Sequence, residues 1–267
     1  MQVSMSNSVL LKMIKFITIS NKCSQLANIS ILGLMGLFIV LIYLAVCWGL
    51  ADLLTKPASY HLLRWEKQGI NSETAWQTTL TQLQWAIDLE PKNPDLLELI
   101  ARVHYLLATT GIGIKFQLTS LQQALDYNLK AIQQRPVSAY TWANIALLKS
   151  QLKQYDAQFE IALKQAIVLG QWEPLVQHLV IEAGLVAWYQ LPQSIRWLVL
   201  AAIERGMLVQ PQLIIALINQ YQRIYTLCAY FDRYKEHPGF AHTFSIDREP
   251  VQLIQFCQQA NLGEPKS

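Results

Sequence analysis

The chain is poor in the residues that punctuate short elements, with 11 glycines and 10 prolines among 267 residues. Charge is scarce as well, at 15%, against 52% hydrophobic residues. That balance excludes an extended disordered polymer, and the length leaves room for one core or one short repeat array. An excess of one charge sign is also missing from the body. The 21 Lys and Arg outnumber the 18 Asp and Glu only because Lys12, Lys15 and Lys22 precede the first acid, Asp52; from there onward 18 bases face 18 acids. A neutral body lacks the positive stripe that a phosphate backbone demands, which argues against nucleic-acid binding.

Cysteine is sparse, and no CxxC or Cys/His spacing is present, so no metal site is expected. Cys23 and Cys47 fall in or beside an apolar run, which leaves Cys228 and Cys257 as the candidate disulfide pair; two helical cysteines serve equally well as buried apolar fillers. Catalytic constellations are missing too. Ser138, Ser150 and Ser194 lack a glycine-flanked elbow, and the two histidines of His237-Pro-Gly-Phe-Ala-His242 straddle a turn with no further ligand nearby. No catalytic residue is assigned, and no cofactor is required.

What is present begins with Ile29–Ala51, twenty-three residues without a charge. About 20 apolar residues suffice for a helix to cross a bilayer, so a transmembrane helix is expected at 29–51. Tyr43 and Trp48 suit the headgroup level at its far end. The three lysines on its near side place residues 1–28 in the cytoplasm and the rest outside it, as a single-pass protein of a bacterial inner membrane with a periplasmic domain. The competing reading is a cleaved signal peptide; the run exceeds a signal core, and no small-x-small site precedes Asp52. Val9–Ile19, interrupted by Lys12 and Lys15, reads as an interfacial helix or as an overlong start before Met13.

Thr55-Lys56-Pro57-Ala58-Ser59 reads as a breaker-rich exit inside a connector at 52–75. From Tyr60 apolar residues recur at helical spacing with no useful β alternation, so the fold class is all-α. Two gapless segments, Trp76–Pro91 and Leu121–Pro136, each place an alanine (Ala86, Ala131) five residues before a closing proline. This spacing resembles the close of a tetratricopeptide repeat, where a small residue permits helix approach and proline ends the helix. A third unit, Tyr140–Gly170, carries Ala162 and Ala166 and ends on Gly170 as a C′ glycine. Ala86 and Ala131 lie 45 residues apart and Ala131 and Ala166 lie 35 apart, so an insertion is expected at Thr109–Lys115. Pro174–Tyr189 and Pro192–Gly206 read as a further hairpin closed by Gly206. Pro211–Tyr234 and Glu249–Ala260 read as two helices of a capping region at 210–267, beyond a repeat domain at 76–209.

Such a helical-hairpin solenoid offers a groove lined by the first helix of each repeat, which suits an extended peptide or a helix rather than a small molecule. Glu98, Arg102 and Tyr105, with Asn144 and Gln151, form the candidate partner-binding groove. Trp85, Trp142, Trp188 and Trp197 fall within amphipathic helices, where ring burial is the default. Trp172, before Pro174, is the candidate for stacking on a sugar. Glu173 and Glu182 are the acids on which a glycan-acting enzyme would rely.

Three stretches are more particular: Arg135–Ala143 (RPVSAYTWA), Leu169–Pro174 (LGQWEP) and Gly184–Trp188 (GLVAW). Together with the single span they resemble the VpsP-type polysaccharide biosynthesis family of bacterial repeat proteins, over roughly residues 75–208. The resemblance implies a non-enzymatic scaffold whose partners are envelope proteins of an exopolysaccharide polymerisation and export system. It carries no catalytic residues with it. Gln171 departs from a repeat-closing proline. The alternatives are an assembly chaperone of another envelope machine, such as secretion or cytochrome maturation, and a glycan-acting hydrolase or transferase.

Overall fold

A computed structural model describes residues 7–70, 72–109, 114–237, 239–240 and 250–262, with side chains from Ile31 onward except at 114–115 and 261–262. Among the described residues there are eleven α-helices, one 3₁₀ turn and no strand. The helices are α1 (Asn7–Gln68), α2 (Glu73–Leu89), α3 (Pro94–Thr109), α4 (Ile114–Gln134), α5 (Ala139–Gln151), α6 (Ala157–Leu169), α7 (Pro174–Val186), α8 (Gln193–Val209), α9 (Pro211–Gln220), α10 (Ile224–Tyr234) and α11 (Val251–Leu262). The expected insertion at Thr109–Lys115 falls largely at 110–113, outside the described residues, as do Asn71, Pro238, His242 and Glu249.

The chain divides into two units, Met1–Leu53 and Leu54–Ser267. In the first, the side chains from Ile31 to Leu50 are exposed apart from Cys47, and nearly all are apolar. The protein thus has one N-terminal helix long and apolar enough to cross a membrane. Val9–Ile19 is part of α1 and not a separate interfacial helix.

Pro57 does not end the helix, contrary to the expected exit at 55–59; α1 continues to Gln68. Proline removes one helical hydrogen bond, and burial outweighs that loss. Ala58, Leu62 and Trp65, at helical spacing, are 0%, 1% and 4% exposed in a cluster with Leu83, Ile100, Val103 and Leu107. Gly69, with φ 74°, gives its N–H to the Trp65 carbonyl and stops the helix in the left-handed region.

The second unit is built on a repeated turn. The N–H of Glu90 bonds the Ala86 carbonyl at 3.0 Å, Asn93 bonds Glu90 at 3.1 Å, and Leu97 bonds Asn93 at 3.3 Å. The same 0, 4, 7, 11 spacing recurs as Ala131, Arg135, Ser138 and Trp142, and again as Ala166, Gly170, Glu173 and Gln177. All three alanines are fully buried, so each helix ends where a methyl group lets its neighbour approach. Caps then start the following helices: Asn93 Oδ1 accepts the Asp95 N–H at 3.0 Å, and Ser138 Oγ accepts that of Thr141 at 3.3 Å.

A second turn type joins α5 to α6 and α9 to α10. Gln154 and Lys153 donate to the carbonyls of Lys149 and Ser150, while Arg223 and Gln222 donate to those of Ile218 and Asn219. Lys153 (φ 57°) and Gln222 (φ 53°) hold the left-handed position that glycine ordinarily fills. This turn splits the expected single helix Pro211–Tyr234 into α9 and α10, with no glycine or proline to mark it. At the α5–α6 turn, buried Lys149 Nζ reaches Asp156 Oδ2 at 2.7 Å, and Asp156 Oδ1 caps α6 through the Phe159 N–H at 2.9 Å. The lysine bond holds the Asp156 carboxyl below its ordinary range.

Successive helices from α2 to α9 pack on one another, α5 also packs on α7, α6 on α8 and α7 on α9. Most of the core is one continuous cluster running from Ala108 on α3 to Cys257 on α11. α11 is held against α8 and α10: Glu204 of α8 accepts the N–H groups of Gln252 and Leu253 at 3.0 and 2.7 Å, and Cys228 and Cys257 form a disulfide. Burial raises the Glu204 carboxyl above its ordinary value.

Of the two glycines expected to close helices, Gly170 does so and Gly206 does not. Gly170 caps α6 at φ −116°, outside the left-handed region, and Gly206 lies inside α8, which runs on to Val209. At Gly184 a Cβ would stand 2.7 Å from both methyl groups of Val199, so α7 and α8 meet in contact that excludes any side chain. Gly184→Ala is expected to lower unfolding stability by about 1–3 kcal/mol in a denaturant titration, because valine is stiff and its methyls have nowhere to rotate. The opposite sign is expected at the left-handed positions. Lys153→Gly and Gln222→Gly should each raise stability by about 0.5–1 kcal/mol by relieving the side-chain clash of that conformation.

Candidate functional site

The face of α3 that carries Glu98, Arg102 and Tyr105 meets the face of α5 that carries Tyr140, Asn144 and Leu148. With Ala101 and Asn128 these residues line a cavity of about 10 Å³. That volume holds one water-sized group. Four of the five residues expected to form a groove are therefore brought together. The fifth, Gln151, joins through its Nε2, which donates to the Tyr105 hydroxyl at 3.4 Å.

Each member is held from behind. Arg102 Nε donates to Glu66 of α1 at 2.6 Å, an ion pair that sequence spacing did not reveal because its partner lies 36 residues away. The Thr141 hydroxyl donates to Glu98 Oε1 and lies 2.7 Å from Ser138 Oγ. Arg135 Nη2 bonds Asp95 Oδ1 at 2.6 Å beside them. Asn144 Nδ2 donates to the Tyr140 carbonyl at 2.9 Å, and buried Asn128 to that of Ala124 at 2.9 Å. These bonds fix rotamers but leave hydroxyl, amide and carboxylate atoms on a common face.

The row extends past α5. Tyr221, after α9, donates its hydroxyl to Glu182 Oε1 of α7 at 2.7 Å, with His178 Nε2 3.9 Å from the other oxygen. Burial raises the Tyr221 phenol strongly, and the Glu182 carboxylate pushes it further. Burial likewise raises the Tyr105 phenol; Gln151 opposes this, while Glu182 adds to it. Glu182 is thus electrostatically coupled to α3 as well as α9. Sequence reading missed it in this role, together with Thr141, Tyr140 and Tyr221. The His178–Glu182 spacing of four was the one available signal.

Other candidates do not converge. Glu173 precedes α7 and Glu182 lies nine residues further along it, about 13 Å of helix rise apart. Carboxyl groups that act on a glycosidic bond stand roughly 5–9.5 Å apart. Ser138 is a helix cap and Ser150 gives its hydroxyl to the Leu147 carbonyl at 2.7 Å. His237 Nδ1 accepts the Gly239 N–H at 3.1 Å. Trp188 is buried, Trp142 and Trp197 are partly so, and Trp85, expected between helices, is 57% exposed on the outer face of α2. Trp172 is 63% exposed.

On the inner side of α3 lies a titratable group with a different role. His104 is buried and stacked on Tyr127 with ring centroids 5.7 Å apart, and its Nδ1 has no hydrogen-bond partner among the described residues. Burial lowers its pKa to about 4 from an ordinary 6.5. Between those values the unfolded chain holds a proton that the folded one rejects, so stability falls as pH drops from 6.5 to 4 and the loss levels off below. The total expected is about 3 kcal/mol. His104→Phe should flatten that part of the stability–pH curve measured by chemical denaturation.

The chain matches no protein-family model, and no curated protein matches it.

Proposed function

We propose that this chain is a membrane-anchored scaffold whose periplasmic domain, a tetratricopeptide-like array of helical hairpins, holds a segment of a partner protein along the polar row of α3, α5 and α7. The observation that carries the reading is the row itself. Side chains from successive first helices present donors and acceptors on one face, around a cavity with room for one water only. A surface of that kind suits recognition of an extended chain better than conversion of a small substrate. The array reading is supported by the thrice-repeated turn and by contacts between alternate helices.

The orientation follows from the lysines before the span and is supported by the Cys228–Cys257 disulfide, which suits an oxidising compartment. The assignment to exopolysaccharide polymerisation and export rests on the resemblance carried by Arg135–Ala143, Leu169–Pro174 and Gly184–Trp188. The partners are then envelope proteins of that system.

A photo-crosslinking residue placed at Asn144 in intact cells tests the reading, with one at Ile161, exposed on α6, as the reference. Capture of polymerisation or export components from position 144, reduced about tenfold by Glu98→Gln, is the expected result. Equal capture from both positions would remove the groove. Components of secretion or cytochrome maturation would move the scaffold to another envelope machine.

A further inference from the structure

One edge of the second unit gathers the turns that begin α3, α5, α7 and α9. Only short links, Gln68 to Glu73 and Leu89 to Pro94, separate α1 from α3, so α3 runs in the sense of α1, and Glu66 of α1 pairs with Arg102 of α3. Leu54 lies 12 residues before Glu66 and Pro94 lies 8 before Arg102. The difference of four residues is about 6 Å of helix rise, so the chain enters the second unit close to the level of the α2–α3 turn. Arg135 of the α4–α5 turn bonds Asp95 at 2.6 Å, and a Cβ on Gly170 of the α6–α7 turn would stand 2.9 Å from that of Ala139. Gly184 of α7 meets Val199 of α8, and Ile181 of α7 lies against Gly206. Helix α8 therefore runs antiparallel to α7 and ends on the side where α7 begins.

Large apolar side chains stand exposed along this edge. Leu169, Trp172 and Leu175 do so at the α6–α7 turn, and Leu208, Val209 and Leu213 at the α8–α9 turn. Within 168–175 and 208–213 the one ionisable side chain is Glu173. The turns at the opposite helix ends, 152–156 and 221–223, carry Lys153, Asp156 and Arg223 instead. The apolar turns are held in place: Gln177 Nε2 donates to the Gln171 carbonyl at 2.6 Å, beside Trp172. Their backbone donors are also used internally, since the N–H groups of Gly170, Glu173 and Gln210 go to the carbonyls of Ala166, Gly170 and Gly206.

We propose that this edge rests on the surface of the bilayer that anchors the chain, with Trp172, Leu175 and Leu213 at headgroup depth. The inference rests on the reading of α1 as a membrane span. An extended peptide docks through main-chain hydrogen bonds, which these turns do not offer, whereas the headgroup boundary accepts tryptophan and leucine without pairing. Leu54 directly follows the span in sequence, so the tether holds the edge near lipid at high effective concentration. With Glu173 the one charge among these residues, the contact is apolar and needs no anionic lipid. The polar row of α3, α5 and α7 is carried by helix faces and not by turns, and remains free for a partner.

The test uses the full chain with Cys23→Ser and Cys47→Ser in phosphatidylcholine nanodiscs, labelled with nitrobenzoxadiazole at one introduced cysteine. The positions are Leu175→Cys and Leu213→Cys on the edge, Gln190→Cys at the other end of α7, and Val40→Cys in the span; the first three side chains are exposed in the fold. Lipid carrying a doxyl group near the headgroup is expected to quench positions 175 and 213 about threefold more than 190, and mid-chain doxyl lipid to quench position 40. Added salt should leave the quenching at 175 and 213 unchanged. Trp172→Glu, at an exposed position, should reduce the quenching at 213 about twofold with the circular-dichroism melt unchanged. Equal quenching at 175, 213 and 190, or quenching at 213 undiminished by Trp172→Glu, overturns the edge, while quenching at 40 upholds the anchor. Labels at 175 and 213 that are shielded from iodide but not quenched by lipid assign the edge to a second copy of the chain and overturn the proposal. No quenching at 40 removes the anchor and the edge together.

Discussion

Close approach of helices at small side chains is the constraint on which the rest of the second unit depends. Ala86, Ala131 and Ala166 each end a helix with a buried methyl and a carbonyl that accepts the first N–H of the turn. Gly184 and Gly206 do the same job inside helices, where a Cβ would stand 2.7 and 3.0 Å from a neighbouring side chain. Once backbones lie that close, the register of each helix on the next is set to within one side chain. The polar residues of α3 and α5 can then face one another at fixed positions, with Glu98 opposite Thr141 and Tyr105 opposite Gln151. A shift of one residue on either helix would turn these groups away from each other.

The same constraint explains where unspent polar capacity concentrates. Polar atoms inside a helical array must be satisfied, and Lys149, Glu204 and Asn128 meet that demand with an ion pair, two backbone N–H groups and a helix carbonyl. Those residues are tied to structure. Glu98, Tyr105, Asn144 and Glu182 are only half-tied, each with one bond to a neighbour and remaining capacity toward solvent. Arg196 and Arg223, at the C-terminal end of α7, belong with the tied residues, bonded to carbonyls and stacked on the rings of Trp188, Tyr230 and Tyr189. The difference between the two sets is the number of partners the fold itself supplies.

Particular residues show how far the fold was legible. The helical class and most helices followed from apolar spacing, and the turns after Ala86 and Ala131 followed from the alanine–proline interval. Pro57 misled because a local breaker was weighed without the stripe of Ala58, Leu62 and Trp65, whose burial depends on contacts with α2 and α3. The α9–α10 turn was illegible because glutamine occupies a position where glycine gives the usual signal. Gly206 misled in the opposite sense: its lack of a side chain serves packing against Ile214 and Ile181 rather than a helix end.

The groove was legible in part, for a physical reason. Glu98, Arg102 and Tyr105 lie on one helix, and a spacing of three or four places them on one face regardless of tertiary structure. Glu66, Glu182 and Tyr221 reach the same row from helices whose positions depend on the whole stack, and no local pattern marks them. The contacts of Tyr189 with Arg196 and Arg223 are less legible still, since they form only through the turn after α7 and the placement of α10. Local periodicity identifies faces; the close contacts at small residues decide which faces meet. The polar row is therefore set by the least conspicuous side chains of the chain, the alanines and glycines that hold α3, α5, α7 and α9 at the distances where polar groups from separate helices meet.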